Sequence, residues 1–263
     1  MDPATLPWLV AVAATLAAFV LRAGLFIGAG FALSHATGFG ARRRIYRIAF
    51  APGQLGREAT AGLLALGFDA LAFATLFKLG VVERATTDSL GRALATFALM
   101  FLWIEVWFYV SHRMMHGRAL YWIHRQHHVA KVTNPLTSIS FSIAERAVLI
   151  GGIAAFAAIA SRIMPFSVPG LIAVLASNYL MNVFVHANVE FVPRRIARSW
   201  LGRVFITPSF HAMHHARFRG NFGLYTRFLD RWFGTDFDDV DWVYDRAASG
   251  EGLTRFGEHR RAP

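Results

Sequence analysis

Five mostly apolar runs, at residues 6–33, 61–82, 93–110, 143–163 and 171–185, divide this chain of 263 residues. A chain so divided has few folds open to it. A helix needs about 20 apolar residues to cross the ~30 Å hydrocarbon layer, and backbone in lipid must satisfy its own hydrogen bonds. Composition agrees: 55% of the residues are hydrophobic and 16% are charged, whereas about a quarter are charged in a typical soluble domain. The expected fold class is therefore all-α, a polytopic transmembrane helical bundle.

The charges that do occur are placed unevenly. The net charge of +11 arises from 27 Lys and Arg, nearly all Arg, against 16 acids. Such a balance on a soluble domain suggests nucleic acid. Here the arginines flank the apolar runs, as in Arg42, Arg43, Arg44 and Arg47 or Arg194, Arg195, Arg198 and Arg203, which suits an anionic cytoplasmic lipid surface. Residues 1–7 lack the basic stretch of a signal peptide, and the run after them exceeds a signal core, so it is expected to stay as a span. Arg22 interrupts that first run and receives no role from sequence. The third run ends in Trp103, Trp107 and Tyr109, an aromatic group of the kind found at a membrane interface. Pro165, Pro169 and Gly170 separate the last two runs, which are either two spans or a re-entrant hairpin. Five spans with the N-terminus outside put the Arg-rich loops in the cytoplasm. The chain reads as one domain, residues 1–263, with a motif-bearing core at 93–240.

Nine of the eleven histidines gather beside the apolar runs. They form His112-x-x-x-His116, His124-x-x-His127-His128 and His211-x-x-His214-His215, with His186 alone at the end of the fifth run; His35 and His259 stand apart. Imidazoles three and four residues apart share a helix face. Nine exceed the four to six positions of one ion, so the count argues for two metals held in a helical cap on the cytoplasmic side. The sequence has no cysteine, which removes disulfides, thiolate clusters and cysteine nucleophiles and leaves nitrogen and oxygen ligands. Glu105 and Glu145 are the acids nearest the boxes, and either can hydrogen-bond a ligand imidazole and fix its tautomer or pair with a neighbouring Arg. Asp230 is expected to serve the fold by capping a helix or binding Arg.

Taken together, Phe108-Tyr109-Val-Ser-His112-Arg113-x-x-His116, Trp122-x-His124-x-x-His127-His128, His186-Ala187-Asn188-Val189, Thr207-Pro208-Ser-Phe-His211-x-x-His214-His215, Asn221-Phe222-Gly223 and Asp230-Arg231-Trp232-Phe233-Gly234-Thr235 resemble the fatty acid hydroxylase and sterol desaturase superfamily of histidine-box membrane enzymes. The resemblance spans residues 105–235. It implies that the nine clustered histidines share two irons, with O2 as co-substrate, and that the protein hydroxylates or desaturates a C–H bond of a lipid: a sterol, fatty acyl chain, hopanoid or carotenoid. Asn182 resembles a position from which a side chain holds a metal-bound water; an amide bridging two helices is the alternative. Some relatives carry a further histidine after the second box, where this chain keeps Ser140-Phe141-Ser142-Ile143-Ala144-Glu145 and so only the acid.

The sequence has no glycine fingerprint for a dinucleotide, no haem-attachment motif and no iron–sulfur cysteines. Electrons are thus expected from a separate ferredoxin or cytochrome with its reductase. Zinc can replace iron at such ligands. A zinc hydrolase is disfavoured because no His-Glu-x-x-His box is present. A non-enzymatic haem or metal carrier, or a metal transporter, is the other alternative, and it would place its ligands deep in the spans rather than at their ends. The expected location is an integral membrane position, the inner membrane of a bacterium, with the boxes facing the cytoplasm.

Overall fold

A computed structural model describes residues 6–260. Among the described residues there are helices and turns and no strands. Five helices are long and apolar enough to cross a membrane: α1 (Trp8–His35), α2 (Gln54–Lys78), α3 (Leu90–Met115), α4 (Ile143–Ile163) and α5 (Val168–His186). At 1.5 Å per residue even α5 is about 28 Å long, close to the hydrocarbon thickness. Of the shorter helices that follow, the two longest are α6 (Pro208–Arg217) and α7 (Val240–Ser249). The absence of a basic signal stretch was read largely from residues 1–5, which lie outside the described residues.

Side chains set the helix starts. Ser89, Ser142, Ser167 and Thr207 each accept a backbone N–H of the first turn of α3, α4, α5 and α6, satisfying donors that a helix leaves free. Pro169 and Gly170 lie inside the first turn of α5, where proline costs nothing. A methyl group at Gly170 would stand 2.6 Å from the Ala93 carbonyl, so glycine there lets α5 close on α3.

The aromatic run on α3 faces protein as well as lipid. The indole N–H groups of Trp103 and Trp107 donate to the carbonyls of Gly152 and Val148 on α4, at 3.0 and 3.3 Å. Trp103 also stacks on Phe156 at 4.4 Å, so these rings form the α3–α4 seam. The lipid-facing sides carry exposed Leu21, Leu25, Leu94, Ile159 and Ile172, an apolar surface that water would penalise and a bilayer solvates. One core joins α3, α4 and α5 through Met100, Ile104, Ala157 and Val174. Another sits beside the histidine segments, where Ile45, Val185, Phe210, Met213 and Val243 are buried together.

Candidate metal centre

The C-terminal end of α3, the first turn of α4 and the C-terminal end of α5 meet at one end of the bundle, and the nine clustered histidines meet there. His112 and His116 lie one turn apart at the end of α3, and His186 ends α5. His124 closes the turn Tyr121–His124, and His127 and His128 occupy a 3-10 turn. In α6, His211, His214 and His215 lie at i, i+3 and i+4, on one face.

The side chains sort into two groups. One holds His112, His116, His124, His128 and His214; the other holds His127, His186, His211 and His215; within each, the candidate ligand nitrogens all lie within 4.8 Å of one another. Neighbours in sequence thus divide: His127 from His128, and His214 from His215. The groups abut, with the His128 and His215 rings 4.6 Å apart.

Protons on six of these rings are fixed by what surrounds them. Nδ1 of His112 donates to the Phe222 carbonyl at 2.9 Å, and that of His214 to Gly220 at 2.7 Å. Nδ1 of His186, His215 and His127 donate to the carbonyls of Asn182, Ala130 and Ser140, at 2.6, 3.0 and 3.3 Å. Nδ1 of His124 faces the Glu145 carboxylate at 2.6 Å, both residues being buried. A carbonyl can only accept, so in the neutral ring each of these Nε2 atoms is a bare lone pair. Burial, reinforced by neighbouring imidazoles, holds His124, His127, His128, His211, His214 and His215 well below the ordinary histidine range and pushes His116 down to about 2. These rings are neutral at physiological pH.

The Nε2 atoms nevertheless crowd together. Nε2 of His186 lies 2.9 Å from that of His211 and 3.2 Å from those of His127 and His215, and Nε2 of His214 lies 3.0 Å from that of His128. Nε2 of His112, His116 and His124 are buried with no hydrogen-bond partner. Two nitrogens bound at right angles to one metal, each at about 2.1 Å, are about 3.0 Å apart. The donor set and its spacing therefore fit a cation in each group, and the imidazoles are already oriented for it.

Glu145 and Glu105 take different places. Ser142 caps the Glu145 N–H and donates its hydroxyl to the Ile123 carbonyl at 2.6 Å, tying α4 to the turn that carries His124. Glu105 touches no imidazole. Its carboxylate accepts the Tyr225 and Thr226 N–H groups and the Thr226 hydroxyl, at 2.9, 3.0 and 2.6 Å, so a direct bond from Glu105 to a ligand ring is corrected to a bond to the loop beside it. The Asn182 side chain donates to the Asn178 carbonyl at 3.2 Å, and only its backbone carbonyl serves His186.

The loop at residues 220–226 carries the signals that sequence reading missed. Its Gly220 and Phe222 carbonyls hold His214 and His112. Asp230, fully buried, accepts the Phe222 and Gly223 N–H groups at 2.8 and 2.7 Å and the Thr235 hydroxyl at 2.6 Å; it neither caps a helix nor binds Arg. Burial holds its carboxyl above the ordinary carboxylate range, a rise that those bonds offset only in part. Phe218 (φ 69°) and Asn221 (φ 59°) adopt left-handed backbone, rare for phenylalanine, and the turn at Phe218 returns the chain so that Gly220 reaches His214.

Residues 97–235 match the family model described as fatty acid hydroxylase, and this chain belongs to that family. It is 33% identical over 156 residues to very-long-chain aldehyde decarbonylase GL1-6 of Oryza sativa subsp. japonica, over 56% of this chain and 24% of that protein. Against GL1-7 of the same subspecies the identity is 33% over 60% of this chain and 26% of the relative. Against very-long-chain aldehyde decarbonylase CER1 of Arabidopsis thaliana it is 29% over 54% and 23%. The match thus spans about a quarter of the length of these relatives. No solved structure matches the chain.

Proposed function

We propose that this chain is a single-domain membrane di-iron enzyme that uses O2 and external electrons to hydroxylate or desaturate a C–H bond of a lipid. The convergence of Nε2 atoms about 3 Å apart in two adjoining groups supports this reading most directly. Two bound irons would supply the reduction of O2 and the removal of hydrogen from an unactivated carbon. The protein's part is to hold nine imidazoles together, six of them with Nδ1 fixed by a carbonyl or carboxylate, and to keep the site away from water. Glu145 orients His124, while Glu105 and Asp230 orient His112 and His214 through the loop.

Hydroxylation by O2 puts one oxygen atom into product and one into water, and consumes two electrons and two protons. This chain carries no motif for a redox cofactor beyond the metals, so the electrons are proposed to come from a ferredoxin or cytochrome with its reductase. Purified protein loaded with iron should oxidise lipid only when that carrier is supplied, and oxidation at full rate with NADPH alone would overturn the reading. The names of the plant relatives favour a second reaction, loss of the carbonyl carbon from a very-long-chain aldehyde. Mass analysis of lipid extracts separates the two: an alcohol or alkene keeps its carbon number, whereas decarbonylation yields a hydrocarbon one carbon shorter.

The proposed location is a bacterial inner membrane with the histidines on the cytoplasmic side, a reading that rests on the flanking arginines. Reporter fusions after Arg44, Glu83 and Lys131 should give cytoplasmic, external and cytoplasmic signals. A cytoplasmic signal at Glu83 would exclude the five-span arrangement.

A further inference from the structure

Arg22 takes no part in the metal centre, yet it stands at a cavity that adjoins it. Its guanidinium lies over the rings of Phe19 and Tyr179, at 4.6 and 4.2 Å, and its buried Nε has no hydrogen-bond partner. The hydroxyl of Tyr179, a residue only 8% exposed, is likewise buried without a partner. Both residues line a partly open cavity of about 80 Å³ between α1, α2, α4, α5 and the segment 138–141. Asp69 and Arg146 also line it, but they satisfy each other through two bonds of 2.8 and 2.7 Å. Among the described residues, two guanidinium groups and one carboxylate line this cavity, leaving an excess positive charge and two donors with nothing to donate to.

Position links the cavity to the chemistry. Arg146 lies in the first turn of α4, beside Glu145, and lines the same cavity as Arg22, which sits midway along α1. Phe141 forms part of the wall and stacks on the His127 ring at 4.7 Å and 6°. Asn182, which also lines the cavity, provides the carbonyl for His186.

Size and donor count narrow the occupant. At about 30 Å³ per water in the liquid, the cavity takes two or three waters or one small oxygen-bearing group, and because it is partly open the rest of a longer molecule can extend out of it. Guanidinium can only donate, so the missing partner is an acceptor. An alcohol head would add a donor to a wall that already has two to spare; a carbonyl or carboxylate oxygen would answer both.

We propose that this cavity receives the carbonyl-bearing head, aldehyde or carboxylate, of a long-chain lipid substrate, with Arg22 and Tyr179 donating to its oxygen. The inference rests on the lipid-oxidising reading above and specifies which lipids that site takes.

Photo-crosslinking tests it without turnover. Iron-loaded protein in nanodiscs, with no electron donor, is irradiated with hexadecanoate, hexadecan-1-ol or hexadecane, each carrying a diazirine at carbon 3, and labelled peptides are mapped by mass spectrometry. Hexadecanoate should label cavity residues such as Leu66 and Leu175, with the alcohol and the hydrocarbon well behind. Arg22→Met should lower that yield about 10-fold, the scale of a lost charge-assisted hydrogen bond. Tyr179→Phe, which keeps the ring and so the fold, should lower it about 3-fold, as for a neutral hydrogen bond. Equal labelling by all three probes, or yields unchanged in Tyr179→Phe and in folded, iron-bearing Arg22→Met, would overturn the assignment of the cavity to a carbonyl-bearing head. Labelling as expected in a protein that forms no oxidised lipid would overturn the enzymatic reading instead, so the two failures are distinguishable.

Discussion

Replacing His124, His186 or His214 by alanine is expected to lower bound iron and lipid oxidation by about 10-fold or more, because changes even to residues behind metal ligands cost 10- to 100-fold. The three positions sample both groups: His124 and His214 belong to the group of five, His186 to the group of four. Each replacement opens one coordination position and removes a ring whose neighbours have no other partner for their lone pairs. The chain carries its own controls. His35 lies at the end of α1 with its Nδ1 2.7 Å from the Ser34 hydroxyl, and His259 sits 3.7 Å from Asp239, 63% exposed. Neither belongs to a convergent group, so His35→Ala and His259→Ala should retain iron and activity. Metal analysis of each variant in membranes, with zinc measured alongside iron, is the check; full iron in His186→Ala would remove the second group from the centre.

The spans and the histidine set were legible in the sequence because both rest on local signals, apolar length and i, i+3, i+4 spacing. Where reading by hydropathy failed, tertiary contacts had overridden it. The second helix starts at Gln54 rather than near residue 61, since its first two turns bury polar groups against a distant segment. Gln54 donates to the Val132 carbonyl at 2.8 Å, and the Glu58 carboxylate accepts from Asn134 and Thr137 at 2.6 and 2.8 Å. The third helix likewise runs on through His112 to Met115, because those imidazoles face protein and not water. Spacing also could not show which histidines share an ion. His127 and His128 leave a 3-10 turn in different directions with their rings at 90°, a result of local backbone that no box pattern encodes. The carbonyls that set the tautomers were invisible for a simpler reason: every residue has one, and only the fold selects Phe222, Gly220 and Ala130.

The same loop carries the second large expected effect. Asp230→Ala should release the site in one group and spare the other. The carboxylate takes two backbone N–H groups and one hydroxyl at a fully buried position, and each donor left without a partner costs about 1–3 kcal/mol. The loop would relax to recover those bonds, moving the Phe222 and Gly220 carbonyls away from His112 and His214. Both imidazoles belong to the group of five. The rings of the group of four are held elsewhere, by Ser140, Asn182 and Ala130 for His127, His186 and His215. Iron in purified Asp230→Ala should therefore fall from two per chain toward one, with activity lost, and Glu105→Ala should act in the same direction by freeing Tyr225 and Thr226. Asp230→Asn keeps one acceptor oxygen but turns an amide N–H₂ toward a backbone donor, so it should retain more iron than alanine and less than the native residue. Loss of both irons in parallel, or full retention in Asp230→Ala, would refute the assignment of this loop to one group.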